Sequence, residues 1–132
     1  MGRNPAPLVY VDTSEVREGG LERLKADFEE LVDFVEEKVP DVLSYAVHLS
    51  EDGTRVTVVH VHHDSASLER HLETGGPVFA KFSEVLALSS IRIYGEPSER
   101  AIALAWDKAR SLGCEDVAVH RTHAGFARFS GS

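Results

Sequence analysis

The sequence holds one cysteine, one tryptophan and one methionine, and only 14 basic residues against 22 acidic ones. Each shortage excludes something. The lone Cys114 leaves no internal disulfide and fits a reducing compartment. It follows Gly113 with no basic neighbour, so nothing in the sequence lowers its thiol pKa for nucleophilic work. A formal net charge of −8 opposes binding to nucleic acid or to an anionic membrane, since both need a basic face to displace counterions. No apolar run approaches the roughly 20 residues that span a bilayer. The opening Met1-Gly2-Arg3-Asn4-Pro5 has no apolar stretch behind it, and Ala6 stands where a myristoylation signal has Ser or Thr. A soluble cytoplasmic protein is therefore expected. At 132 residues and 42% hydrophobic content, a single domain over 1–132 can bury about two-thirds of its unfolded surface.

What is present is an alternation of short apolar strands and amphipathic helices, without linkers or repeats. Leu8-Val9-Tyr10-Val11 reads as a strand apolar on both faces. After Gly19-Gly20, the residues Leu21, Leu24, Phe28, Leu31, Val35 and Val39 recur at helical spacing. Glu29-Glu30 and Glu36-Glu37 form the solvated face of that helix, and Pro40 ends it by pushing the residue before it out of the α region. Strands follow over Ser44 to Leu49 and Arg55 to His62, joined by a turn in which Asp52-Gly53 supplies the positive φ values. Asp64 or Ser65 caps a short helix with Leu68, His71 and Leu72 inward. Gly75 is expected to end that helix in a left-handed cap, and Pro77 to open another that packs through Val78, Phe82, Val85 and Leu86. Ile91 and Ile93 mark a strand closed by Gly95. Pro97-Ser98 then opens a helix with Ile102, Ala105, Ala109 and Leu112 inward, and Gly113 ends it. A last strand runs from Val117 to about Thr122, ahead of the tail Ala124 to Phe129.

This order predicts an α+β, ferredoxin-like antiparallel sheet with helices on one face, the core over 8–95 and a helix-and-strand extension over 96–132. The hairpin sets Tyr45 opposite His60, Val47 opposite Val58 and Leu49 opposite Val56, while Ala46, Val59 and Val61 point the other way. Both faces of the sheet are thus apolar, yet helices cover only one. A second copy packed on the bare face would hide a patch larger than monomers usually tolerate, so a homodimer is expected.

Gly19 before an amphipathic helix, the hairpin, and Ser67-Leu68-Glu69-Arg70-His71-Leu72 followed by Phe79-Ala80-Lys81-Phe82 together resemble the antibiotic biosynthesis monooxygenase family. The likeness covers about Leu8 to Gly95 and is strongest toward an uncharacterised branch with an extra C-terminal helix and strand. It implies a dimeric α+β barrel with a cleft between sheet and helices, and oxidation of aromatic or quinol substrates with neither metal nor organic cofactor. His71 falls where the family often has a helix histidine at the cleft. Where the family's third strand frequently ends in Glu-x-Trp, this chain has His60-Val61-His62. The heme-degrading branch joins an asparagine, a histidine and a tryptophan; no matching asparagine stands in the first strand, and Trp106 lies in the added helix.

Three histidines carry the candidate chemistry. His60 and His62 sit two apart on one strand, so their rings share a face with Tyr45, and a neutral imidazole there can take the proton of a phenol or quinol. The anion reacts with oxygen more readily. The bland alternative is a pair of strand-end histidines half in solvent. His71 shares the stripe of Leu68 and Leu72 and points to the sheet, either as a satisfied core histidine or as a cleft residue. Tyr45, Tyr94 and Arg92 are the candidate substrate-binding residues. His60-x-His62 is also a spacing used by strand-borne metal sites, with His120 or His123 as further donors. Neither zinc-finger spacing nor a His-Glu-x-x-His helix exists, so no metal is expected. Two functions remain: a small monooxygenase, or a non-catalytic dimeric barrel that binds a small hydrophobic ligand or serves a stress-related role.

Overall fold

The computed structural model describes residues 7–128; Met1 to Pro5 and the tail residue Phe129 lie outside them. The elements are β1 (Leu8–Val16), α1 (Leu21–Lys38), β2 (Val42–Leu49), β3 (Arg55–His62), α2 (Ser65–Phe79), a 3-10 turn (Ala80–Glu84), β4 (Leu86–Tyr94), α3 (Glu99–Ser111) and β5 (Val117–His120). The sheet order is β2-β3-β1-β4-β5, antiparallel through the first four strands, with β5 parallel to β4 on the edge. Four strands in that order with two crossing helices are the ferredoxin-like α+β arrangement expected. The closing strand pairs within its own chain, completing a β4–α3–β5 crossover.

The hairpin register is as read from sequence: Tyr45 opposite His60, Val47 opposite Val58, Leu49 opposite Val56. Only Gly53 of the turn takes a positive φ, +73°. Asp52 contributes its carboxylate instead, accepting from the Thr54 amide at 3.1 Å and from the Ser50 and Thr54 hydroxyls at 2.7 Å each. Helix α1 buries Leu24, Phe28, Leu31 and Val35, spaced four, three and four apart, over Val56 and Val58 of β3. Helix α3 buries Ala101, Ala105 and Ala109, a row of small side chains that lets it sit close to α2 and the β4 end of the sheet, while Ile102 is only half-buried.

Three elements depart from expectation. Helix α2 does not stop at Gly75, which has no positive φ; it runs on through residue 77 to Phe79. Val78 therefore belongs to α2, Phe82 to the 3-10 turn, and Leu86 already to β4, so no separate third helix exists. Continuing the helix buries Gly75 against the His71 ring and Phe79 in the core, which outweighs the local signals to stop. Strand β4 begins five residues before Ile91. Its inward set is Leu86, Leu88, Ile91 and Ile93, and the phase change at Ser89, the extra residue of a bulge, breaks the alternation a sequence reader counts on. Strand β1 extends past Val11 to Val16, and its inward positions 12 and 14 are the polar Asp12 and Ser14, both buried, which breaks the apolar pattern.

The core is two apolar clusters on the helix side of the sheet. One gathers α1, β3 and the 3-10 turn; the other gathers β1, the first half of α2, β4 and α3. The far face carries Val9, Val11, Ala46, Val59 and Val61, all half-buried. Gly95, at φ +128°, closes β4 where an added Cβ would come 2.8 Å from Leu8 Cδ2 and 3.3 Å from the Pro7 carbonyl. Gly95→Ala should therefore lose stability by about 1–3 kcal/mol in urea unfolding, combining backbone strain with a contact in the core.

Candidate active site

The inward row of β1, β2 and β3 places Tyr10 opposite His60 and Tyr45 on the other side of it. Cross-strand neighbours on one face stand about 5 Å apart, so flat rings in register must stack. They do. The His60 imidazole lies between the Tyr10 ring at 4.1 Å and the Tyr45 ring at 5.2 Å, tilted 22° and 15° from them. Two residues on, His62 turns its ring to 82° from that of His60. From above, α2 lowers His71 onto the layer, its ring centre 4.2 Å from that of His60 and 5.5 Å from that of Tyr45. All three histidines are buried, two of them completely. The half-solvated strand-end reading is thereby overturned: α2 starts three residues after His62 and its first turn covers the strand end.

Their hydrogen bonds form a chain. Ser67 Oγ lies 2.7 Å from His62 Nδ1, and His62 Nε2 lies 2.6 Å from His60 Nδ1. The chain ends at His60 Nε2, which is buried without a partner, as is His71 Nδ1. A neutral imidazole has one N–H and one lone pair, so two assignments satisfy the chain. In one, Ser67 donates to His62, His62 donates to His60, and His60 Nε2 keeps the proton. In the other every proton shifts one step, His62 donates to Ser67, and His60 Nε2 is a bare acceptor. Burial lowers the pKa of all three rings by opposing the charged form: His62 to about 4, His71 to about 3, and His60 well below its ordinary value. At neutral pH the chain is uncharged and both assignments are open to it.

A second polar group touches the first. The Tyr10 hydroxyl donates to Asp12 Oδ2 at 3.0 Å, and Lys108 Nζ approaches the same oxygen at 3.0 Å. The ammonium lies 3.9 Å above the Phe79 ring and 4.9 Å from the Tyr10 ring centre. A buried carboxylate with no cation would be untenable, so α3 must bring Lys108 where β1 holds Asp12. The Tyr10 pKa is raised well above its ordinary value, by burial first and by the Asp12 charge next. Burial raises that of Tyr45 as well. Between α2 and the sheet, a void of about 10 Å³ remains beside His71, Tyr45, Gly75 and Lys108, enough for one water.

The structure thus brings together four of the six sequence-derived residues: His60, His62, His71 and Tyr45. Arg92 and Tyr94 sit on the far face, because Ile91 and Ile93 take the inward positions of β4. Arg92 forms a two-pronged pair with Asp116 at 2.8 and 3.1 Å, and Tyr94 stacks on His120. His120 and His123 are exposed. Among the described residues, no group of three or more His, Cys, Asp or Glu side chains is arranged to hold a metal ion. Sequence reading missed Tyr10, Asp12, Ser67 and Lys108. The signal for two of them was present: Asp12 alternates with Leu8 and Tyr10, and Lys108 follows Ala105 by three in the inward stripe of α3. Cys114 is buried, with Sγ 3.4 Å from the Ser89 carbonyl, which fits a structural thiol.

Residues 7–85 match the antibiotic biosynthesis monooxygenase family. The chain belongs to that family. No curated protein matches it. Among solved structures, MupZ from Pseudomonas fluorescens superposes with a TM-score of 0.75 at 15% identity, over 100% of this chain and 97% of that one, so α3 and β5 are shared with it. A conserved protein from Methanosarcina mazei gives 0.61 at 18% identity, over 69% of this chain and 93% of its own. A Pseudomonas aeruginosa protein, PA3566, gives 0.55 at 26% identity, over 70% and 93%. The latter two cover only about the ferredoxin-like part of this member of the family.

The buried neutral histidines have a consequence for stability. Their folded pKa values lie below the unfolded value near 6.5, so below that pH the unfolded chain binds protons that the folded chain does not. Stability is therefore unaffected above pH 7 and should fall as pH drops from about 6.5 to 4. The slope is about 1.4 kcal/mol per pH unit for each histidine, or roughly 4 kcal/mol for three. Urea unfolding across that range should show it, with a shallower slope in His62→Gln.

Proposed function

We propose that this family member is a monooxygenase, independent of metal and flavin, acting on a small aromatic or quinol-like compound. The observation that carries the reading is the pair of partnerless imidazole nitrogens, His60 Nε2 and His71 Nδ1, buried beside the flat faces of Tyr10 and Tyr45. In a dry site a neutral imidazole takes a proton from a phenolic hydroxyl when the resulting imidazolium and phenolate stay paired. The chain through His62 to Ser67 lets the charge spread by one-step proton shifts. The electron-rich anion then reacts with dioxygen directly. A hydroquinone and dioxygen yield a hydroxyquinone and water, one oxygen atom entering each product, with no external reductant. His71 and His60 are the proposed bases, His62 orients His60, and Tyr45 shapes the pocket. Arg92 and Tyr94 have no part in this reading.

One observation favours the second reading, a non-catalytic barrel that binds a small hydrophobic ligand or serves a stress-related role. The void at His71 holds about 10 Å³, so a substrate enters only if α2 or α3 gives way. Oxygen uptake with a panel of hydroquinones separates the two. Wild type should consume oxygen, and His71→Ala should lose at least a hundredfold in rate, the scale of general-base catalysis. No uptake with any hydroquinone rules out the oxygenase.

We further infer that the protein works as a cytoplasmic homodimer. Val9, Val11, Val59 and Val61 adjoin one another across β1 and β3 on the face without helices, and the same face of a second copy is the self-complementary cover. Light scattering should find twice the 14.5 kDa chain mass, and Val59→Lys, at the centre of the patch, should return a folded monomer.

A further inference from the structure

Between α2 and α3 lies a crevice of about 290 Å³ whose walls include Leu72, Gly76 and Phe79 of α2, Leu104 and Lys108 of α3, and Leu112 just past the end of α3. Four of these residues, Leu72, Gly76, Phe79 and Lys108, also bound the small void at His71. The crevice therefore adjoins the histidine site across a shared wall. It exists because of α3, the helix added to the ferredoxin-like core.

We propose that this crevice binds a small phenol, ring between Leu104 and Phe79 and hydroxyl oxygen on the Lys108 ammonium. The inference deepens the monooxygenase reading, from which its ligand class is taken. Three features of the crevice support it. First, Lys108 carries three N–H donors, its side chain is only 10% exposed, and among the described residues its one hydrogen-bond acceptor is Asp12. The ammonium lies against the Phe79 and Tyr10 rings, so an incoming oxygen meets a largely desolvated cation. Second, Asp12 already balances the lysine charge. A weakly acidic hydroxyl fits that pair better than a full carboxylate, which would leave a net buried anion. Asp107, on the exposed rim, repels carboxylates further, though solvent screens it. Third, Gly76 is an unfilled notch: a Cβ there would meet nothing within 4 Å. A flat ring can lie against the bare helix backbone at that point, about one and a half helical turns beyond His71.

The probe is 4-nitrophenol, in equilibrium dialysis against the full-length protein at about pH 6, where its hydroxyl keeps its proton while 4-nitrobenzoate is ionised, and absorbance counts the bound and free forms. Wild type should bind one molecule per chain, and 4-nitrobenzoate at least tenfold more weakly. Gly76→Leu fills the notch while replacing glycine by a better helix former, so thermal unfolding should be undiminished and binding at least tenfold weaker. Should that variant fail to fold, Leu104→Trp fills the same space from α3 and carries the same expectation. The paired change Lys108→Met with Asp12→Asn, which leaves no lone charge inside, should erase the preference over the benzoate. Absence of saturable binding to wild type, or unchanged binding in folded Gly76→Leu, overturns the proposal. Oxygen uptake that survives Gly76→Leu intact also overturns it and leaves the oxygenase standing. Binding that Gly76→Leu abolishes, without oxygen uptake in any variant, supports this site and removes the oxygenase.

Discussion

Burying polar side chains without water is costly unless each finds a partner, and that constraint governs the middle of this molecule. Two apolar clusters cover the sheet, and along the seam between them lie His60, His62, His71, Asp12 and Lys108. Every one of them must be neutral or paired. The histidines are neutral and pass hydrogen bonds along a chain to Ser67; Asp12 is paired with Lys108 and the Tyr10 hydroxyl. The residual cost falls on two imidazole nitrogens and on the Ser14 hydroxyl of β1, which have no partner. Natural cores keep few such groups, and those they keep tend to be where chemistry is done.

Each element contributes to that seam according to its geometry. Strand pairing in register stacks Tyr10, His60 and Tyr45 in a row, an arrangement no single strand could produce. The N-terminal turn of α2, capped by the Asp64 carboxylate on the Ser67 amide, sets Ser67 over His62 and, four residues on, His71 over His60. The α3 helix supplies a single cation, and its Ala101, Ala105 and Ala109 row brings the helix near enough for that cation to arrive. The helix beyond the residues that match the family is thus more than an appendage: it completes the charge balance of the core and walls the crevice against α2.

Much of the fold was legible in the residues. The α1 stripe, the hairpin register with Gly53 at its turn, the helix starts near Asp64 and Ser98, and the succession of strands and helices through the hairpin all follow from spacing and turn chemistry. Where reading failed, a local rule met a stronger tertiary one. Gly75 and the proline at 77 signal a break, yet α2 continues because the helix beyond them buries Phe79. The first half of β4 was hidden by a bulge that resets its alternation, and the second half of β1 by polar residues at inward positions.

The site divides in the same way. Sequence alone determined that His60, His62 and Tyr45 share one face and that His71 turns toward them, because strand and helix periods dictate direction. It could not determine that the rings meet without solvent, that Ser67 ends their chain, or that Arg92 and Tyr94 stand on the opposite face from them. Distance and burial depend on how α2 and α3 close over the sheet. Asp12 and Lys108 show the reason most plainly: 96 residues separate them, and only the packed chain reveals that each is the other's means of staying inside.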